Sequence, residues 1–269
     1  MLRMTVEPNE LLQIAVRIAG GAADLARQMR DEGVTGITTK SSATDVVTAA
    51  DRAAERYVRE ALRDSRPGDA VLGEEAGESP GKGAVRWILD PIDGTVNYLY
   101  GVPHYAVSLA AEVDGEVVAG VVRNPVSGEQ WTATRGGGAW RGEVRLVGST
   151  VTELSQTLLA TGFGYAAARR VHQARVVAKL LPIVRDIRRF GAASLDLCFA
   201  AEGRVDAYYE KGLNLWDHAA GGLIAAEAGL RVGGLSGAGA GPDLVVAAPP
   251  AIWEPLQDAL VRLDAAGGP

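Results

Sequence analysis

The stretch Trp87-Ile88-Leu89-Asp90-Pro91-Ile92-Asp93-Gly94-Thr95-Val96-Asn97-Tyr98 runs from an apolar segment through an acidic corner into a helix-forming one. Trp87-Ile88-Leu89 reads as a buried strand that meets its first charge at Asp90. Pro91 stiffens the turn and withholds an N–H. Asp93 then stands where a helix begins, as an N-cap carboxylate. Asp90 and Asp93 are hard oxygen ligands, with the Ile92 carbonyl between them. Gly94 lets an anion approach the backbone, and the Gly94 and Thr95 amides point out of a helix N-terminus. A cation site therefore lies beside an anion site, the pairing that phosphate ester chemistry needs.

Two further segments carry acid in a similar setting. Leu72-Gly73-Glu74-Glu75 ends the short apolar run 70–72 in paired carboxylates. Asp217 opens a helix within Leu215-Trp216-Asp217-His218-Ala219-Ala220-Gly221, a run otherwise largely apolar. Any one of these groups could be a helix cap or a solvated charge. Together, at strand ends and helix starts in both halves of the chain, they favour a shared metal site.

Helical spacing of apolar residues predicts a helix over residues 8–30 and a second over 49–64. Residues 105–147 are β-rich, with strands expected at 107–113, 116–123, 130–134 and 143–147. Asp114-Gly115 and Ser127-Gly128 are turn pairs between them, so antiparallel hairpins follow. Strands and helices then alternate: strands at 157–161, 186–189, 205–209 and 244–247, helices at 168–181, 194–201, 217–228 and 252–263. The expected architecture is an N-terminal α+β half, residues 1–149, joined to a C-terminal α/β half, residues 150–269. The first half would carry most of the metal ligands; the second would supply Asp217 and the substrate contacts.

Composition narrows the class. The chain has 269 residues, 47% hydrophobic and 22% charged, as ordinary globular proteins do. Its 27 basic and 33 acidic residues give a net charge of −6, which argues against a groove built to neutralise nucleic-acid phosphates. No run of about 18 apolar residues is present, so no membrane span is expected. The lone Cys198 cannot form an internal disulfide, and the start lacks a secretory pattern; a reducing cytoplasm is the expected location.

Other motifs carry less. Gly162-Phe163-Gly164-Tyr165-Ala166-Ala167 fits the dinucleotide-binding pattern G-x-G-x-x-A between a strand and a helix. No acidic residue ends a well-defined next strand, because Asp186 begins its own, so a plain strand-to-helix turn is favoured over NAD binding. Gly81-Lys82-Gly83 lacks the Ser or Thr of a phosphate loop and reads as a surface turn. His104, His172 and His218 show no zinc spacing, and Cys198, among Leu195, Leu197 and Phe199, reads as core.

With Lys40-Ser41-Ser42-x-x-Asp45 and Thr48-x-x-Asp51 before them, the three acidic segments resemble the inositol monophosphatase family of magnesium-dependent, lithium-sensitive phosphatases. The bacterial inositol-1-monophosphatases are the nearest in pattern, over residues 40–229 at least. The resemblance implies a layered α-β-α-β-α sandwich of the inositol monophosphatase/fructose bisphosphatase type, a homodimer, and two to three Mg²⁺ ions between the halves. Glu74, Asp90 and the Ile92 carbonyl would hold the first ion, and Asp90, Asp93 and Asp217 the second. A third, weaker ion would sit near Glu74 through water. Thr95 and Asp51 would orient and deprotonate the attacking water, with Glu74 completing the catalytic set. Asp93, Gly94, Thr95 and Asp217 would meet the phosphate side of the substrate; the Gly191-Ala192-Ala193 turn and Glu210 would meet its sugar-like part. Lys40, Asp45 and Glu75 would support them from behind. The implied substrate is a small phosphate ester, myo-inositol 1-phosphate first. Fructose 1,6-bisphosphate, histidinol phosphate and 3′-phosphoadenosine 5′-phosphate are superfamily alternatives. A nicotinamide-dependent oxidoreductase and a non-catalytic partner of the transcription or translation machinery are the readings from other classes.

Overall fold

The structure is a computed structural model that describes residues 7–40 and 46–269. The chain opens with α1 (Pro8–Glu32), the two-residue strands β1 (Thr38–Thr39) and β2 (Val46–Val47), and α2 (Ala49–Ser65). Strands β3 (Ala70–Gly73), β4 (Gly77–Ser79) and β5 (Val85–Asp93) lead to the short helix α3 (Thr95–Tyr100). A run of hairpins follows: β6 (Ala106–Val113), β7 (Glu116–Arg123), β8 (Gln130–Thr134), β9 (Gly138–Arg141) and β10 (Val144–Arg145). These make one sheet in the order β10-β9-β8-β7-β6-β5-β3-β4, antiparallel except where β3 runs parallel to β5.

The rest alternates: β11 (Leu158–Thr161), α4 (Ala167–Leu180), β12 (Asp186–Arg188), α5 (Ala193–Glu202), β13 (Ala207–Glu210), α6 (Leu215–Glu227). It closes with β14 (Arg231–Gly233), β15 (Val245–Ala248) and α7 (Pro250–Arg262). The second sheet has the order β12-β11-β13-β15-β14, with β11 parallel to β12 and β13 and β15 antiparallel to both its neighbours.

Side-chain alternation stacks these elements. Trp87 and Leu89 of β5, Leu109 and Ala111 of β6 and Val121 of β7 face Leu11, Ala15, Ile18 and Ala22 of α1 and Val58 and Leu62 of α2. Their alternates Ile88, Ala110 and Val122 face the other way, onto Leu195 and Leu197 of α5 and Ala220 and Ile224 of α6. The same middle helices cover Ala160, Tyr208, Val245 and Ala247 of the second sheet. That sheet's outer face, Leu159, Ala207, Val246 and Ala248, packs on Val176 and Leu180 of α4 and Ile252 and Leu256 of α7. Burying a Leu, Ile or Val side chain is worth roughly 1.5–3 kcal/mol, so three such seams hold five layers together. The expected α-β-α-β-α sandwich is what the chain adopts. Cys198 is core, as expected.

Several local expectations are corrected. The strand at the acidic corner does not stop at Asp90: β5 continues to Asp93 with a register irregularity between the two. Asp93 is not a helix cap, because Ser194 of α5 binds its carboxylate from the middle layer, and Gly94 at φ +87° takes the cap position instead. Asp217 is not a cap either. It is the third residue of α6 and reaches back to the cap residue, with the Asn214 N–H donating to Asp217 Oδ2 at 2.6 Å. The strand expected at 143–147 shrinks to β10, and β9 precedes it. Gly136, Gly138 and Gly142 all adopt positive φ, breaking the alternation that would have announced that hairpin.

Candidate active site

The layers leave a cleft of about 410 Å³ whose walls include Glu74, Asp90, Ile92, Asp93, Gly94, Thr95 and Asp217. Parallel pairing of Gly73 with Leu89 sets Glu74 beside Asp90, and the Glu74 N–H still donates to the Leu89 carbonyl at 3.2 Å. Asp90 Oδ1 accepts from the Ile92 N–H at 3.1 Å, folding the corner onto itself. Asp93 Oδ2 accepts from the Ser194 N–H at 2.7 Å and from the Ser194 hydroxyl, so the start of α5 fixes it. Asp217 comes from the middle layer, where α6 aims its first turn at the corner.

Gathering these acids is unfavourable, and their protonation shows it. Burial, then the charges of Glu74, Asp93 and Asp217, hold Asp90 well above the usual carboxylate range. Asp217 is raised well above that range too, by burial and then by Glu74 and Asp93. Burial also raises Glu74 and Asp93. Lys40 is the cation among them, 2.9 Å from Glu74 and 2.5 Å from Glu75. Burial alone would lower the Lys40 ammonium, yet the two carboxylates keep it above its ordinary value. Glu75 is pushed up to about 7, chiefly by burial. It stands behind the cleft and does not line it.

Among the described residues, no three His, Cys, Asp or Glu side chains already form a cluster around one point. The donors are instead spread along the cleft wall, all oxygen, with Lys40 the cation paired to Glu74. Such a set suits hard divalent cations and offers nothing to a thiolate- or imidazole-seeking metal.

Behind the corner, Asp51 is fully buried and off the cleft surface. Its Oδ2 accepts from the Thr48 N–H at 2.7 Å, completing the capping box that starts α2. The Thr95 hydroxyl lies 3.1 Å from Asp51 Oδ1 and 3.0 Å from the Ile92 carbonyl, and its single proton serves one of them at a time. Burial raises the Asp51 carboxyl, which makes it a better proton acceptor than an exposed aspartate.

On the opposite wall, Gly191, Ala193 and Glu210 line the cleft, while Ala192 turns its buried methyl toward Gly94. Glu210 Oε2 accepts from the Tyr208 hydroxyl at 2.7 Å, and burial pushes the carboxyl up to about 7. Lys211 makes no pair with it. Its ammonium donates to the Gly267 and Gly268 carbonyls at 2.8 and 3.1 Å. Asp45 lies outside the described residues.

The dinucleotide-like glycine has a different explanation here. A Cβ on Gly162 would sit 1.8 Å from Glu210 Oε2, so the residue is glycine to admit that carboxylate. Gly162→Ala should therefore displace Glu210 and destabilise the fold by about 1–3 kcal/mol. Thermal unfolding checks this, and an unchanged Tm would contradict the contact.

The sequence model of the inositol monophosphatase family matches residues 7–262. The chain belongs to this family. It is 46% identical over 282 residues to an inositol-1-monophosphatase of Mycobacterium leprae, covering 96% of both chains. It is 40% identical over 231 residues to the Nus factor SuhB of Escherichia coli K12, covering 85% of this chain and 86% of that one. The solved SuhB of Mycobacterium tuberculosis superposes with a TM-score of 0.83 at 44% identity, covering 97% of this chain and 99% of that one. The family read from the acidic segments, and the fold it implied, are both borne out.

Sequence reasoning missed some residues of this family member's site. Ser194, which holds Asp93, directly follows the Gly191-Ala192-Ala193 turn, and a hydroxyl residue at a helix start was the available signal. Asn214 was the cap signal for α6. Phe163, Arg169, Arg189 and Lys211 also line the cleft and carried no local mark. His104, His172 and His218 stay apart, as expected: His218 is buried in α6 and lowered to about 4 by burial, and His104 lies 3.3 Å from Asp196.

Proposed function

We propose that this chain is a Mg²⁺-dependent phosphomonoesterase that hydrolyses myo-inositol 1-phosphate and related polyol phosphates. The observation that carries this reading is the set of four carboxylates, Glu74, Asp90, Asp93 and Asp217, on one cleft beside Gly94 and Thr95. Glu74, Asp90 and the Ile92 carbonyl would hold one Mg²⁺; Asp90, Asp93 and Asp217 would hold another, with a third weaker ion near Glu74. Bound there, the ions supply Lewis acidity and a more acidic water at neutral pH.

The protein's own groups do the rest. The Gly94 and Thr95 amides, at the start of α3, hold phosphate oxygens. The Thr95 hydroxyl orients the attacking water, and Asp51 takes up a proton through it. Lys40 keeps Glu74 and Glu75 in place by ion pairing. Glu210, with Gly191 and Ala193, accepts hydrogen bonds from ring hydroxyls. The intact carboxylate set favours catalysis over a purely binding role. In keeping with the family resemblance, the enzyme works in the cytoplasm as a lithium-sensitive homodimer. For its part, no helix of the described residues is long and apolar enough to cross a membrane.

The test is phosphate release from inositol 1-phosphate, histidinol phosphate, fructose 1,6-bisphosphate and 3′-phosphoadenosine 5′-phosphate, with Mg²⁺ and with chelator. Magnesium-dependent release from inositol 1-phosphate is expected; release unaffected by chelation would overturn the reading. Glu210→Gln separates recognition from chemistry. Hydrogen bonds to a charged group are worth roughly 1.5–3 kcal/mol, so kcat/KM on inositol 1-phosphate should fall about 10- to 100-fold. An aryl phosphate, with no ring hydroxyls, should lose far less. Equal losses on both would assign Glu210 to the scaffold.

A further inference from the structure

Helix α2 carries Asp51, Glu55 and Arg59 at intervals of four, so the three lie along one stripe of its surface. Asp51 meets the Thr95 hydroxyl at 3.1 Å. Glu55 and Arg59 face a different element, the tight turn between β3 and β4 that bears Glu74. Glu55 is 2% exposed and lies off the cleft surface. Its Oε2 accepts from the Glu75 N–H at 2.8 Å, and its Oε1 from the Ala76 N–H at 3.1 Å. Arg59 Nε donates to the same Oε1 at 2.8 Å. The rest of that guanidinium donates to the Gly77 carbonyl and, at 3.0 Å, to the Ser79 hydroxyl.

The turn is shaped to accept this grip. A Cβ on Gly73 would sit 2.4 Å from Glu55 Oε1, so the residue before Glu74 is glycine where the carboxylate passes. Gly77 pairs with Gly73 across the hairpin and closes the turn at φ +68°. The strand that follows, β4, is three residues long and forms the edge of the sheet, so its ladder supports the turn weakly. A buried ion pair adds little stability that apolar packing would not match. What this pair adds is direction, because it fixes two N–H groups and a carbonyl of the turn at once. Lys40 holds the Glu74 and Glu75 side chains, whereas Glu55 holds the backbone beside them.

We infer, resting on the phosphatase reading above, that Glu55 and Arg59 are positioning residues that set the Mg²⁺ affinity of the site containing Glu74. They mount Glu74 on the same helix that carries Asp51, so ligand and proton acceptor share one rigid support.

Calorimetric titration with Mg²⁺, without substrate, compares the intact chain with Glu55→Gln, Arg59→Gln and Arg59→Lys. Removing a group that orients a metal ligand costs about 10–100-fold in metal affinity. Glu55→Gln keeps the size but turns an NH₂ toward a backbone N–H or the guanidinium, so Mg²⁺ should bind about tenfold more weakly or worse. Arg59→Gln should act in the same direction. Arg59→Lys should recover part of the loss, since it keeps a charge beside Glu55 but not the planar fork. At saturating Mg²⁺, kcat and KM for inositol 1-phosphate should return to within about threefold of the intact values.

A merely structural role would lower the Tm in chelator and leave the Mg²⁺ affinity of the folded protein unchanged. Unchanged affinity in the folded variants would therefore overturn the mount, even where inositol 1-phosphate is hydrolysed. Should Glu55→Gln not fold, the two Arg59 variants decide the matter, because that side chain is the more exposed of the pair. Weakened Mg²⁺ binding in a chain that hydrolyses no ester would keep the mount and remove the phosphatase reading. Absence of Mg²⁺ binding to the intact chain would overturn both.

Discussion

Asp93→Asn is expected to remove nearly all phosphate release while leaving the fold intact. Asp93 joins the end of β5 to the middle helix α5 through Ser194, whose N–H donates to Oδ2 at 2.7 Å. An asparagine keeps an oxygen for that bond and matches the aspartate in size. What it loses is the negative charge of one of the four proposed ligand carboxylates, on the residue proposed to share the second Mg²⁺. Lewis-acid stabilisation is worth several kcal/mol, and about 4 kcal/mol corresponds to roughly a thousandfold in rate. Stability should move little, and in the metal-free enzyme upward, because burial already disfavours the charged Asp93. Steady-state phosphate release and thermal unfolding of the same variant check both halves. Near-normal Mg²⁺-dependent turnover would remove Asp93 from the metal site. A collapsed Tm would make its link to Ser194 the main role instead.

The parts of this protein that could be read in advance were those governed by local rules. Alternation along residues 107–123, with Asp114-Gly115 between its two runs, placed the β6–β7 hairpin to within a residue. The 3.6-residue spacing from Leu11 to Ala26 placed α1. The acidic segments gave the family because their residue types and order are unusual. What stayed hidden depends on contacts between distant segments. Nothing near Asp93 reveals that Ser194 will hold it, and so the carboxylate looked like a cap. Nothing in Gly162-Phe163-Gly164 reveals that Glu210 must pass over Gly162, and so the glycine looked like a nucleotide fingerprint. The pairing of Lys211 with the carbonyls of residues 266–268 decides that Glu210 is free of it, yet Lys211 is its immediate neighbour in sequence. Adjacency in sequence does not decide this pairing; the position of residues 266–268 does.

The second large effect expected is on stability, and it runs opposite to the usual behaviour of carboxylates. Asp51, Glu74, Glu75, Asp90, Asp93, Glu210 and Asp217 are all raised in the folded protein, foremost by burial, with Glu75 and Glu210 at about 7. Above an ordinary carboxylate pKa of about 4, the unfolded chain has released these protons while the folded chain still holds them. The folded state therefore binds more protons, and stability falls as pH rises from about 4 through 7, where Glu75 and Glu210 titrate in the folded protein. Their stabilising contribution is complete only below about pH 4. Mg²⁺ reverses the trend by binding the deprotonated form. Buried His218 and His104, both lowered by burial, titrate in the opposite sense below about 6.5, but they enter the curves with and without metal alike. The informative quantity is accordingly the gain in Tm on adding Mg²⁺, measured at pH 6 and at pH 8. Each proton displaced by metal changes that gain by about 1.4 kcal/mol per pH unit. The gain should therefore be larger at pH 8 than at pH 6, because burial raises every proposed ligand carboxylate. Scanning calorimetry or dye-monitored melting with saturating Mg²⁺ and with chelator provides the measurement. A gain that is the same at both pH values would mean the cleft carboxylates are not the ligands, whatever the enzyme's activity.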